Sequence, residues 1–166
     1  MIAWRCYALV GIALVAVALC GCRANRGASE FPPHAMVLRL ADADDIPTLD
    51  PAAGYDTLSW TFEQAIFDTL VRYGEDNVDL EPDLATSWES APDAMTFTFH
   101  LRRDAHFSTG RAVTSDDVRY GIERVIDPAT RSKGMEYYRG IAGADDFATH
   151  RVAHVSGIET PDAWTI

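Results

Sequence analysis

Residues 81–118 read EPDLATSWESAPDAMTFTFHLRRDAHFSTGRAVTSDDV, and the order of signals in this stretch decides the fold. Thr86–Ser90 and Met95–Leu101 are two runs suited to strands, joined by Ala91-Pro92-Asp93-Ala94, a type I turn sequence. The second run alternates, with Phe97, Phe99 and Leu101 on one side and Thr96, Thr98 and His100 on the other. Phe107 and a Ser108-Thr109-Gly110 turn follow. Thr114-Ser115-Asp116-Asp117 then has the form of a capping box with Asp in place of Glu, just before Val118, Ile122 and Val125 at helical spacing. Asp127-Pro128 stops that helix, because proline disfavours helical backbone in the residue before it.

Upstream, Met36–Ala41 (MVLRLA) is a short strand candidate, apolar at alternate positions. Pro47 and Pro51 punctuate a loop. Apolar residues then recur at Leu58, Phe62, Ile66 and Leu70 with Phe67 beside them, which predicts a helix capped by Asp56 or Thr57 and ended by Gly74. Downstream, Asp127–Arg151 is loop-rich with helical character near Gly140–Phe147. Val155–Glu159 and Ala163–Ile166 read as two strands around Pro161-Asp162, the second running off the end of the chain as in an incomplete domain.

Composition bounds the class. The chain has 166 residues, 48% apolar and 23% charged, which suits a globular domain. All 25 acidic residues and 13 of the 14 basic ones follow Cys22, giving that part a formal charge of −12. Such a surface repels phosphate backbones, so nucleic acid is not an expected partner. The 3 cysteines (Cys6, Cys20, Cys22) all lie in the first 22 residues. A disulfide scaffold, a thiolate zinc site and a cysteine nucleophile are thereby excluded from the remainder.

The N-terminus has the three parts of a secretion signal: Arg5, the apolar run Tyr7–Leu19, and small residues up to Cys22. Leu19-Cys20-Gly21-Cys22 resembles the bacterial lipobox, in which the last cysteine accepts a lipid and becomes the first residue of the mature protein. An uncleaved anchor is the other reading, with basic residues on both sides of the apolar stretch. Either way the domain is tethered outside the cytoplasm. Residues 1–21 are thus expected to be a signal peptide, 22–35 a flexible tether and 36–166 the functional part.

The sequence offers no catalytic constellation. His150 and His154 are four apart, a spacing that on a helix holds a metal, but no Glu lies between them and the segment leans towards strand; no metal site is expected. Asp44-Asp45, Asp116-Asp117 and Asp145-Asp146 read as loop and helix-start residues rather than an acid/base pair.

The succession of segments is more specific than any one of them. Leu49-Asp50-Pro51, Phe67–Val71, Glu81–Trp88, Thr96–Arg102, Phe107–Gly110, Val113–Val118 and Ile122-Glu123-Arg124 stand in an order that resembles the family 5 extracellular solute-binding proteins of ABC importers, the oligopeptide- and dipeptide-binding type. The likeness covers residues 46–166. It departs at Thr109, where an aspartate is usual, and at Ala94, where a glycine is usual.

That resemblance implies an α/β fold, two-lobed and periplasmic-binding-protein-like (type II), with a mixed sheet and helices, of which this chain supplies only the first part of lobe one. It implies a non-enzymatic monomer without a cofactor. Its partners would be a peptide or peptide-like small solute, an ABC permease and ATPase complex, and the membrane through the lipid on Cys22. The resemblance places solute contacts at Gly54 and Tyr55, where peptide-binding members approach the ligand backbone, and at Gln64, near a charged contact of some members. Tyr55 packing its own loop is an equal reading. Around Gly134 some members carry an aromatic contact, which Tyr137 or Tyr138 would replace. The rivals are a non-peptide ligand (nickel complex, haem, sugar or opine) and a stand-alone structural or enzymatic lipoprotein.

Overall fold

The computed structural model describes Met36 and residues 42–74 and 78–166. The expected signal peptide, the tether and most of the Met36–Ala41 strand candidate therefore lie outside the described residues. The chain divides into Met1–Ala43 and Asp44–Ile166. Of the first unit the described residues are Met36, which is exposed, and 42–43. The second runs α1 (Thr57–Ile66), β1 (Val71–Tyr73), β2 (Leu80–Pro82), β3 (Ala85–Ser90), β4 (Phe97–Leu101), α2 (Ser115–Ile126), a 3₁₀ turn (Pro128–Thr130), α3 (Met135–Tyr138) and α4 (Ala144–Ala148). No helix among the described residues is long and apolar enough to cross a membrane.

The expected hairpin is present. β3 and β4 pair antiparallel with Trp88 opposite Phe99, and the register shifts between Ala85 and Ser87. Ala94 closes the turn by donating its N–H to the Ala91 carbonyl at 2.8 Å, and does so at φ 54. That left-handed backbone is where glycine is usual, and alanine costs about 1 kcal/mol there. Of the three residues expected on one face, Leu101 is buried, Phe99 half-buried and Phe97 half exposed. β4 gains a second partner on its other edge. Phe99 and Ile166 exchange backbone hydrogen bonds (2.8 and 3.2 Å), and the Leu101 N–H reaches the Trp164 carbonyl at 2.8 Å. Ala163–Ile166 is therefore a bridging segment rather than a full strand.

α1 starts as expected and stops early. Asp56 is the cap, its carboxylate accepting the Ser59 N–H at 2.9 Å. The helix ends at Ile66, not at Gly74, because Phe67 turns extended (φ −113, ψ 138). The competing force is pairing at a distance. Asp83 accepts the Thr69 N–H at 2.7 Å, the Thr69 and Leu70 carbonyls accept the N–H groups of Leu84 and Ala85, and β1 then pairs antiparallel with β2. The expected apolar face of α1 is not its buried face either. Ser59 and Glu63 are buried, whereas Ile66 is 57% exposed.

α2 begins at the predicted capping box. Thr114 donates its N–H and its hydroxyl to Asp117 at 2.9 and 3.0 Å. The Arg111 guanidinium, paired with both Asp117 oxygens at 2.8 and 2.9 Å, holds that carboxyl below its usual range. The helix ends before Asp127-Pro128 as expected. Against it lies the core of buried Ile126, Ala144, Val155 and Ile158. Val155–Glu159 is a turn, not a strand. Its first N–H is taken by the buried Glu123 carboxylate at 2.9 Å, and the Gly157 N–H is taken by the Ala142 carbonyl at 2.8 Å. A side chain at Gly143 or Gly157 would collide with the facing segment, so glycine is what allows residues 142–143 and 156–157 to touch.

One helix precedes the four strands and the other helices follow them, so the lobe combines helices and strands as the resemblance implies, and the strand pairs among the described residues are antiparallel.

Candidate functional site

The loop after Leu49-Asp50-Pro51 is built from its own backbone. The Asp50 carbonyl accepts the N–H groups of Ala53 and Gly54 at 2.9 and 2.8 Å, and its carboxylate accepts the Ala52 N–H at 3.1 Å. Arg124, on α2, clamps the same carboxylate with two N–H groups, one at 2.7 Å. This bidentate pair drives the Asp50 carboxyl below its usual range. At the other end of the loop Asp56 caps α1. The loop is thus pinned at both ends by carboxylates, and Gly54 and Tyr55 lie between them.

Tyr55 leaves the loop 40% exposed and meets two rings. Its ring stands edge-on to Trp60 of α1, with centroids 5.9 Å apart and planes at 69°. Its hydroxyl lies 2.7 Å from that of Tyr137 on α3, 82 positions away. This shared hydrogen bond holds the Tyr55 phenol above its usual range. One hydroxyl donates to the other, so the pair keeps one O–H to give and acceptor lone pairs to offer. Tyr137 and Trp60 are 76% and 50% exposed, and the three rings form an aromatic surface with a polar centre. Aromatic bodies with polar tips, on an exposed loop, are the equipment of a binding surface.

Of the expected contacts, Gly54 and Tyr55 are placed together, and Tyr137 rather than Tyr138 joins them. Gln64 is exposed on α1, and no hydrogen bond joins it to either tyrosine. Glu63, Arg124 and Trp60 were not singled out from the sequence. Glu63 is 6% exposed on the inner side of α1, beneath Gly54, and its Oε1 has no hydrogen-bond partner. Burial, reinforced by the nearby charges of Asp56 and Asp50, pushes its carboxyl up. His154 faces Glu123 at 3.2 Å, His150 stands at φ 57 outside any helix, and no group of three metal-ligating residues occurs among the described residues.

A separate open cleft of about 730 Å³ lies elsewhere, lined by Ile66, Phe67, Leu70, Phe107, Val118 and Ile122 among others. Its wall is mostly apolar, and of its polar side chains Thr69, His106 and Asp117 are committed to Asp83, the Asp104 carbonyl and Arg111, with Asp68 and Ser108 besides. A mostly apolar wall with few convergent free polar groups does little to fix a ligand's orientation. The Tyr55 loop does present such groups, and is the better candidate.

The model of the bacterial extracellular solute-binding proteins, family 5 Middle, matches residues 79–166, and the chain belongs to that family. It is 32% identical over 127 residues to the dipeptide-binding protein DppE of Bacillus subtilis, an alignment covering 72% of this chain and 23% of DppE. Among solved structures, Haemophilus influenzae OppA in complex with the peptide RPPGFSPFR superposes with a TM-score of 0.65 at 31% identity, over 71% of this chain and 23% of OppA. The substrate-binding domain of an oligopeptide ABC transporter from Bacillus anthracis does so with a TM-score of 0.70 at 27% identity, over 76% and 24%. The chain therefore spans about a quarter of the length of these relatives.

Proposed function

We propose that this chain is the first part of lobe one of a solute-binding lipoprotein, which captures a peptide or peptide-like solute outside the cytoplasm and delivers it to an ABC permease and ATPase. The observation that carries this reading is the meeting of Tyr55 and Tyr137 hydroxyls at 2.7 Å, which joins two segments where the family resemblance leads one to expect solute contacts. The pairing of one free donor with acceptor lone pairs suits a peptide group, which offers one of each. The names of the relatives, a dipeptide-binding and two oligopeptide-binding proteins, support the same ligand class.

The test is a thermal-shift screen of the complete gene product against pools of di-, tri- and longer peptides. Peptides are expected to raise the melting temperature, and Tyr55→Ala to weaken the best of them by about tenfold, as loss of a buried aromatic contact does. A shift produced by haem, a nickel complex or a sugar but by no peptide would replace this reading with a non-peptide ligand of the same family.

The anchor belongs to the same proposal. Cys22 carries the lipid, residues 1–21 are removed and 22–35 tether the domain at the outer face of a membrane. Cys22→Ala is expected to abolish incorporation of labelled fatty acid and move the protein out of the membrane fraction. A mutant that still carries label and still sediments with membranes refutes the assignment.

A further inference from the structure

Glu63 is a carboxyl group where a negative charge is costly. The residue is 6% exposed, and its Oε1 has no hydrogen-bond partner. The charged groups facing it from the neighbouring segments are Asp50 at the start of the loop and Asp56 at the cap of α1, both carboxylates. The cation contributed by α2, Arg124, is already engaged bidentately by Asp50. A buried acid with like charges on two sides and no cation of its own favours its neutral form.

The same carboxyl is the floor of the loop. A Cβ at position 54 would stand 2.1 Å from Glu63 Oε1 and 2.9 Å from Oε2. Gly54 and Glu63 are therefore packed against each other: a side chain at position 54 would force the Glu63 carboxyl to shift, and an ionised acid beneath would repel the carboxylates that pin the loop at each end. The next residue is Tyr55, whose direction out of the loop decides whether it reaches Tyr137.

We propose that Glu63 is a positioning residue of the Tyr55 loop, acting as an uncharged carboxyl wedged beneath Gly54, and that its ionisation loosens the loop and weakens solute capture. This rests on the Tyr55 loop being the solute contact. The sign of the pH effect follows from proton binding. Glu63 titrates higher in the folded chain than unfolded, so between the two titrations the folded state holds the extra proton. Stability conferred by that proton is present at low pH and is lost as pH rises through this window. Asp50 and Asp56 are shifted down and act in the opposite sense, at lower pH.

The experiment compares the complete gene product with Glu63→Gln, a neutral isostere, and Glu63→Ala, from about pH 4 to about pH 8. Melting temperature is read without ligand, and affinity is read with trialanine and with the best peptide of the screen. Relative to Glu63→Gln, the parent is expected to lose melting temperature and about tenfold in affinity as pH rises above the ordinary glutamate range. Glu63→Ala is expected to bind weakly at every pH. The proposal is overturned if parent and Glu63→Gln have parallel ligand-free pH profiles, or if Glu63→Gln binds as weakly as Glu63→Ala. The ligand-free profile separates the two claims. If the profiles diverge while no peptide binds either protein, the peptide reading fails and with it the effect of Glu63 on capture, leaving only its role in the loop.

Discussion

Gly143→Val is expected to destabilise the protein by about 3 kcal/mol, through two separate costs. Gly143 stands at φ 81, where an L side chain is strained by about 1–2 kcal/mol and a β-branched one by more. Its Cβ would also fall 2.3 Å from Ser156 Oγ and 2.9 Å from the Ser156 backbone nitrogen. The hydroxyl can swing away; the backbone nitrogen cannot move without dragging Val155 out of the core. Urea denaturation of the complete gene product measures the sum. Gly110 separates the parts, because it has φ 86 but nothing within 4 Å of its would-be Cβ. Gly110→Val is therefore expected to cost about 2 kcal/mol, the backbone term alone. Equal losses at the two positions would show that the close approach of residues 142–143 and 156–157 does not matter.

Ile126→Ala is expected to be of similar size, about 3 kcal/mol, for a different reason. Ile126 is 1% exposed at the end of α2 and contacts a core whose other fully buried members are Ala144 and Val155. Alanine 144 is too small to fill the space, and Val155 is held in place because its N–H is bound to Glu123. The cavity should therefore persist rather than collapse. Ile126→Val, which removes a single methylene, is expected to cost about 1 kcal/mol. The ratio of the two losses in denaturant midpoint checks the argument, and near-equal losses would mean that the core relaxes around the change.

What the sequence showed plainly was local. The Pro92-Asp93 turn, the Thr114–Asp117 capping box and the stop at Asp127-Pro128 are each decided within four residues, and each is found where expected. What it hid was decided across the chain. Leu70 fits the periodicity of α1, yet its carbonyl is claimed by Ala85 and the helix stops four residues earlier. Val155–Glu159 has the residues of a strand, yet Glu123 and Ala142 take its N–H groups and bend it into a turn. The candidate site divides in the same way. Gly54 and Tyr55 came from resemblance, and their partner Tyr137 stood as one of two options. Glu63 was invisible because an acid inside an amphipathic helix ordinarily marks the solvent side. Arg124 stands out in the sequence only as part of a family pattern, since nothing near it in sequence announces Asp50.

The two links that shape the loop are both long. Asp50 and Arg124 are 74 positions apart, and Tyr55 and Tyr137 are 82 apart. Closing loops of that length is slow compared with forming a turn or a helix, so both links come late in folding. The hairpin and the capped helix can assemble as soon as their own residues are free, but the Tyr55–Tyr137 contact waits until residue 137 has joined them. A folding chain would acquire its scaffold first and the proposed binding surface last.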